Sequence, residues 1–123
     1  MTFEDVCFGY EEGQHVLDHV SFTVNPGESV ALVGPTGAGK STIVNLLSRF
    51  YNVNSGRILI DDVDISGVTL HSLRSQMGIM LQDSFIFSGT IEDNIRYGKL
   101  DATMEEIRRA SSVVCALQNL DIV

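Results

Sequence analysis

Residues 33–42 read VGPTGAGKST, and within them Gly34-Pro35-Thr36-Gly37-Ala38-Gly39-Lys40-Ser41 fits the spacing G-x-x-x-x-G-K-[ST]. Glycines at 34, 37 and 39 let the backbone turn tightly and aim successive N–H groups at one oxyanion. The apolar run Ser29–Val33 before the loop reads as a short strand buried on both faces. After it, Ile43, Leu46, Leu47 and Phe50 recur at i, i+3, i+4 and i+7, the inward stripe of a helix. Strand, glycine loop and helix in that order are the context the motif requires. The helix adds its unpaired N-terminal amides and the positive end of its dipole. The stretch therefore predicts a phosphate cradle with backbone from Gly34, Thr36, Gly37, Ala38 and Gly39. Lys40 bridges the β- and γ-phosphates, Ser41 offers a hydroxyl to Mg²⁺, and Thr42 donates to the α-phosphate. A glycine turn that merely joins strand to helix has no use for Lys-Ser in that register. The loop alone indicates a nucleoside triphosphate with Mg²⁺; it does not separate kinases, GTPases and transport ATPases.

Working outward, residues 2–8 and 16–24 read as strands. In the second, Val20, Phe22 and Val24 alternate with Ser21 and Thr23, the period of a half-solvated antiparallel strand. Asn25-Pro26-Gly27-Glu28 is a turn, with Pro presetting φ and Gly tolerating a positive one. Beyond the loop helix, Asn54-Ser55-Gly56 is a turn and Arg57–Asp61 a strand. Residues 69–76 suit a short helix with Leu70 and Leu73 inward, and Gly78–Leu81 a further strand. Thr90–Tyr97, with Ile91 and Ile95 one turn apart and Gly98 just beyond, predicts a capped helix. Thr103 and Glu106 form a capping box before a helix whose inner face is Ile107, Ala110, Val114 and Leu117. The fold class is α/β with an antiparallel portion near the start, and 123 residues suffice for one modest domain.

Composition narrows the function classes. A net charge of −8 with eight Lys plus Arg argues against a nucleic-acid surface, which carries clustered basic residues. No apolar run approaches the roughly 18–20 residues that cross a bilayer. The opening MTFEDVCFGY places acids where a secretion signal carries Lys or Arg. The chain is expected to be soluble, with any membrane role exercised through a partner. Cys7 and Cys115 lack C-x-x-C spacing and read as small buried thiols in a reducing compartment. His15, His19 and His71 form no linear metal-ligand pattern.

The segments around the loop identify a family. VCFGY at 6–10, VLDHVSFTVNPGESVALVGPTGAGKST at 16–42, SGRILIDDVDI at 55–65 and LRSQMGIMLQDSFIFSGTIEDNI at 73–95 together resemble the nucleotide-binding domain of ABC transporters, most closely the exporter type. The resemblance runs from Val6 to about Ala110. It implies a P-loop NTPase-type core, ATP and Mg²⁺ as ligands, and ATP hydrolysis coupled to export of a substrate across a membrane. Carried onto this chain, it makes Tyr10 the aromatic that stacks on adenine and Val16 the apolar residue beside the base. Gln82 becomes the glutamine that joins Ser41 on Mg²⁺ and, with Lys40, serves the chemistry by orienting the attacking water. The resemblance also implies a second nucleotide-binding domain in a head-to-tail dimer. It further implies a transmembrane domain contacted near Phe85 and Phe87, which holds the protein at the cytoplasmic side of a membrane. Read from the bare residues, an ordinary strand aromatic is the lesser alternative for Tyr10, whereas core burial of Phe85 or Phe87 stands level with docking.

Ile58-Leu59-Ile60-Asp61-Asp62 imitates the apolar run plus acid that holds Mg²⁺ in many phosphate-loop enzymes. Following Ser-Gly, it reads instead as a peripheral strand that ends in solvated turn acids. Residues 99–123 contain neither the LSGGQ signature nor the apolar strand ending in Asp-Glu of the resembled family. The expectation is that residues 1–123 form the N-terminal part of a single ABC-type domain. Such a part would hold ATP without cleaving it and leave apolar surface uncovered. A binding module without hydrolysis, or another phosphate-loop enzyme that uses Asp61 or Asp62, are the alternatives.

Overall fold

The computed structural model describes residues 1–80 and 85–113. The chain divides into two compact units, Met1–Ile79 and Met80–Val123.

The first unit is built on a four-stranded antiparallel sheet. Strand β1 (Thr2–Phe8) pairs with β2 (Leu17–Thr23) on one side and β3 (Ser55–Ile60) on the other. The short β4 (Val63–Asp64) pairs with β3, giving the order β2-β1-β3-β4. Phe3 lies across from Phe22 and from Ile58, and the Phe3 and Phe22 rings stack at 4.6 Å. The alternation of β1 breaks in its second half, where Val6, Cys7 and Phe8 are all buried. Register shifts flank Val6 in the β1–β2 ladder, and Asp5 (φ 52°) and His19 (φ 50°) take left-handed conformations. An extra residue in a ladder re-aims the side chains after it, so neighbouring positions turn to the same side. Asp61 (φ 48°) and Asp62 (φ 63°) form the two-residue connection from β3 to β4. Positive φ at both positions is what a tight hairpin asks for, and Asp tolerates it. These acids are the exposed turn residues that the sequence implies.

Helix α1 (Lys40–Leu47) supplies Leu46, which is 1% exposed, to a core of Phe3, Val6, Phe8, Leu17, Ile58, Ile65 and Leu73. The helix ends at Leu47 with Ser48 as its C-cap, and Arg49 just beyond takes a left-handed φ of 51°, so Phe50 falls outside the helix and is exposed. Its last turn carries no basic residue of its own. Arg74 of α2 (Leu70–Arg74) provides one from outside, donating Nε to the Ser48 carbonyl at 3.0 Å and Nη2 to the Arg49 carbonyl at 2.9 Å. A cation there answers the negative end of the α1 dipole. Its guanidinium also lies 4.7 Å from the centre of the Phe50 ring. Arg49 in turn donates to the carbonyls of Ile65 (2.8 Å) and Val68 (2.6 Å). The two arginines thus tie the end of α1 to residues 65–74.

Two expected strands are not formed. Residues 29–33 lie outside the sheet, with Val30, Leu32 and Val33 exposed, Val33 at 89%. A strand buried on both faces needs neighbours to pair with it and layers to cover it, and the described residues provide none. Residues 78–80 are likewise unpaired and exposed, and Leu81 lies outside the described residues. Leu70 is exposed as well: α2 is one short turn after its Thr69 cap, and only Leu73 reaches the core.

In the second unit, α3 (Ile91–Arg96) begins with a capping box in which Thr90 Oγ1 accepts from the Asp93 N–H and Asp93 Oδ2 accepts from the Thr90 N–H, each at 3.0 Å. Helix α4 (Met104–Val113) begins with the Thr103–Glu106 box. Ile107 is buried, but Ala110 is exposed and Ser111 takes the buried position, its hydroxyl donating to the Ile107 carbonyl at 2.9 Å. Val114 and Leu117 lie outside the described residues. Phe85, Phe87 and Tyr97 form an exposed aromatic row, with Phe87 stacked on Tyr97 at 4.6 Å. Among the described residues no helix is long and apolar enough to cross a membrane.

Candidate phosphate-binding site

Gly39 is the N-cap of α1, with φ 81° and no side chain to cap the helix. Its place is tight: a Cβ there would lie 2.8 Å from Leu17 Cδ2 and 3.3 Å from the Val16 carbonyl oxygen. The start of β2 therefore packs directly against the loop, which brings Val16 beside it. Gly37 also has a left-handed φ of 85° but faces open space. Within the loop the Ala38 N–H donates to the Pro35 carbonyl at 3.2 Å. Among the described residues, the N–H groups of Gly37, Gly39, Lys40, Ser41 and Thr42 have no hydrogen-bond acceptor. The first is on the loop and the others are at the open end of a helix, where the dipole is positive. That donor set matches an anion, and its length along the backbone suits more than one phosphate group.

Lys40 lies at the first position of α1, with its side chain turned toward the loop. Its Nζ donates to the Gly34 carbonyl at 2.8 Å and to the Pro35 carbonyl at 2.7 Å, so the ammonium folds back over its own loop. Reaching phosphate oxygens requires it to exchange those carbonyls for a better acceptor, and a charged oxygen is one. Ser41 is exposed at the helix start.

Thr42 is buried at 3% exposure, and its Oγ1 lies 3.1 Å from the Tyr10 hydroxyl. Asn45, one turn further along α1, donates to the same hydroxyl at 3.4 Å. The Tyr10 ring is half exposed and meets Phe8 at 4.9 Å and Tyr51 at 5.0 Å, both edge to face. The structure thus joins Tyr10 and Thr42, 32 residues apart, in one cluster at the loop. Asn45 and Tyr51 are members that the sequence reading missed. Asn45 was recoverable, because i+3 from Thr42 is the same helix face; Tyr51 had no periodic signal. Gln82 lies outside the described residues.

The comparisons with known proteins bear on this strand–loop–helix arrangement. The family model described as ABC transporter matches residues 17–121. The chain belongs to the ABC transporter family. Among its relatives, the ABC transporter ATP-binding protein YfiC of Bacillus subtilis is 57% identical over 116 residues, 94% of this chain and 19% of the relative. ATP-binding cassette sub-family B member 6 of Homo sapiens is 55% identical over 111 residues, 90% of this chain and 13% of that protein. A solved structure of a bacterial Atm1-family ABC exporter with ATP bound superposes with a TM-score of 0.87 at 46% identity. That match covers 98% of this chain and 22% of the exporter chain. The chain thus spans about a fifth or less of the length of these ABC transporter relatives. The likeness extends the fold class read from sequence, a phosphate-loop core with an antiparallel portion ahead of it, to the whole described chain.

Proposed function

We propose that this chain is the nucleotide-holding part of an ABC exporter's ATP-binding domain. It binds ATP with Mg²⁺ and, within a complete transporter, serves ATP hydrolysis coupled to export. The observation that carries this reading is the set of amides at Gly37 and Gly39–Thr42 that have no acceptor among the described residues, next to an ammonium whose present partners are exchangeable carbonyls. Likeness to a solved ABC exporter supports the direction of transport. In this reading Lys40 leaves the Gly34 and Pro35 carbonyls for the β- and γ-phosphates, and Ser41 donates its hydroxyl oxygen to Mg²⁺. Tyr10 offers its exposed face to adenine, with Val16 beside it, and base–aromatic stacking contributes about 1–3 kcal/mol. Bound Mg²⁺ neutralises charge on the β- and γ-oxygens. Gln82 completes the metal and water contacts by family analogy. The exposed row of Phe85, Phe87 and Tyr97 suits docking to a membrane domain at its cytoplasmic side. The sandwich with a second nucleotide-binding domain, and the groups that polarise the attacking water, belong to segments that carry the signature and the Asp-Glu pair.

The test compares ligands on one variant. Lys40→Ala should lower affinity for ATP–Mg²⁺ by about 10–100-fold, the loss of one or two charge-assisted hydrogen bonds, while adenosine affinity changes less than about twofold. Equal losses for the two ligands in calorimetric titration would overturn the assignment.

A further inference from the structure

Strand pairing assembles a second set of polar groups that has no part in the phosphate site. Cys7 and Asp18 are distant in sequence, but Phe8 lies across from Leu17 in the β1–β2 ladder, which sets their neighbours Cys7 and Asp18 close together. One ligand atom each from Cys7, Asp18 and His19 lie within 4.8 Å of one another. We propose that Cys7, Asp18 and His19 form a binding site for a zinc-class divalent transition-metal ion, independent of nucleotide.

The chemistry of the set favours that class. Thiolate, imidazole and carboxylate form a borderline-soft trio, suited to Zn²⁺ or Co²⁺ and unsuited to Mg²⁺ or Ca²⁺, which take oxygen ligands alone. Ligands at about 2.0–2.3 Å from a tetrahedral ion stand roughly 3.3–3.8 Å apart. His19 Nε2 and Asp18 Oδ1 are already 3.9 Å apart, and both side chains are more than two-thirds exposed, so small rotations close the site. The imidazole is held from behind: Nδ1 lies 2.8 Å from Asp5 Oδ1, the carboxylate–histidine arrangement that fixes the ring and leaves the other nitrogen for a metal. The Cys7 Sγ accepts the His19 backbone N–H at 3.3 Å, which holds the sulfur on the same side of the ladder as the imidazole. Asp5 and His19 both hold left-handed backbone conformations, which non-glycine residues adopt at a cost and which cluster at functional sites. With Cys7 buried and the other two exposed, the fourth position opens to water.

The experiment is a metal titration of the full chain without nucleotide, using Zn²⁺ in equilibrium dialysis and Co²⁺ as the optical probe. One ion per chain and a thiolate-to-cobalt charge-transfer band are expected. Cys7→Ser should abolish the band and Cys115→Ser should keep it. His19→Ala and Asp18→Asn, both at exposed positions, should each lower Zn²⁺ affinity at least tenfold, and Asp5→Asn about tenfold through the orientation of His19. Circular dichroism checks that each variant is folded. No zinc retained at micromolar free metal, a band that survives Cys7→Ser, or unchanged affinity in His19→Ala would each overturn the proposal.

Discussion

Gly39 carries two demands that no other residue satisfies together: a left-handed φ of 81° and a face pressed against Leu17 and Val16. Gly37 carries only the first, since its missing Cβ would meet nothing within 4 Å. Gly39→Ala should therefore destabilise the fold by about 1–3 kcal/mol, and Gly37→Ala by the lower end of that range. Urea unfolding of the two variants checks the order; equal costs would mean that Leu17 yields freely. The place of Gly39 was legible in the sequence, because the loop register and a conformation that favours glycine coincide there. The Tyr10–Thr42 bond was not legible, because a hydroxyl pair separated by 32 residues depends on how β1 and α1 come together, which no local pattern encodes. The resemblance assigned each of those residues to the nucleotide without indicating that they touch.

Among elements, the Thr103–Glu106 capping box and a capped helix at Thr90–Tyr97 were legible in the sequence, because a cap involves only neighbours along the chain; that Asp93 closes the second box came from the structure. The cap on α4 has a pH signature. The Lys99 ammonium, 2.7 Å away, and then the N–H and hydroxyl of Thr103 hold the Glu106 carboxyl well below the usual range near 4.5, at about 2. A depressed carboxyl stabilises the folded form fully above its ordinary range and loses that contribution as pH falls toward about 2. Carbon-detected NMR of Glu106 should show a midpoint near 2, moving upward in Lys99→Ala; a midpoint near the ordinary carboxylate value would contradict the cap geometry. Elements whose form depends on distant partners were read less well. Residues 29–33 have the composition of an inner strand, yet without paired neighbours among the described residues they remain outside the sheet. The α1 terminus was equally unreadable, since its capping cation, Arg74, comes from another helix.

On the scale of the first unit, stability concentrates on one side of the chain. Leu46 lies at 1% exposure within the sheet–helix core, whereas Leu32 lies at 39% in the uncovered segment 29–33. Leu46→Ala should cost about 2–5 kcal/mol, the range for a leucine removed from a packed core. Leu32→Ala should cost less than about 1 kcal/mol. Thermal unfolding of the two variants separates them, and similar losses would show that residues 29–33 are covered in solution. The antiparallel portion of the fold was legible because its alternation and turns are local. The place of residues 29–33 was not, because it depends on pairing partners that the described residues do not supply.

The cluster around Tyr10 also makes the molecule its own reporter. The chain has no tryptophan and three tyrosines, two of which, Tyr10 and Tyr51, meet edge to face at 5.0 Å. Excitation absorbed by either passes readily to the other, so a base stacking on Tyr10 would dim both. ATP binding should therefore quench tyrosine emission, and Tyr10→Phe should remove that response, so occupancy can be followed by light without any attached dye.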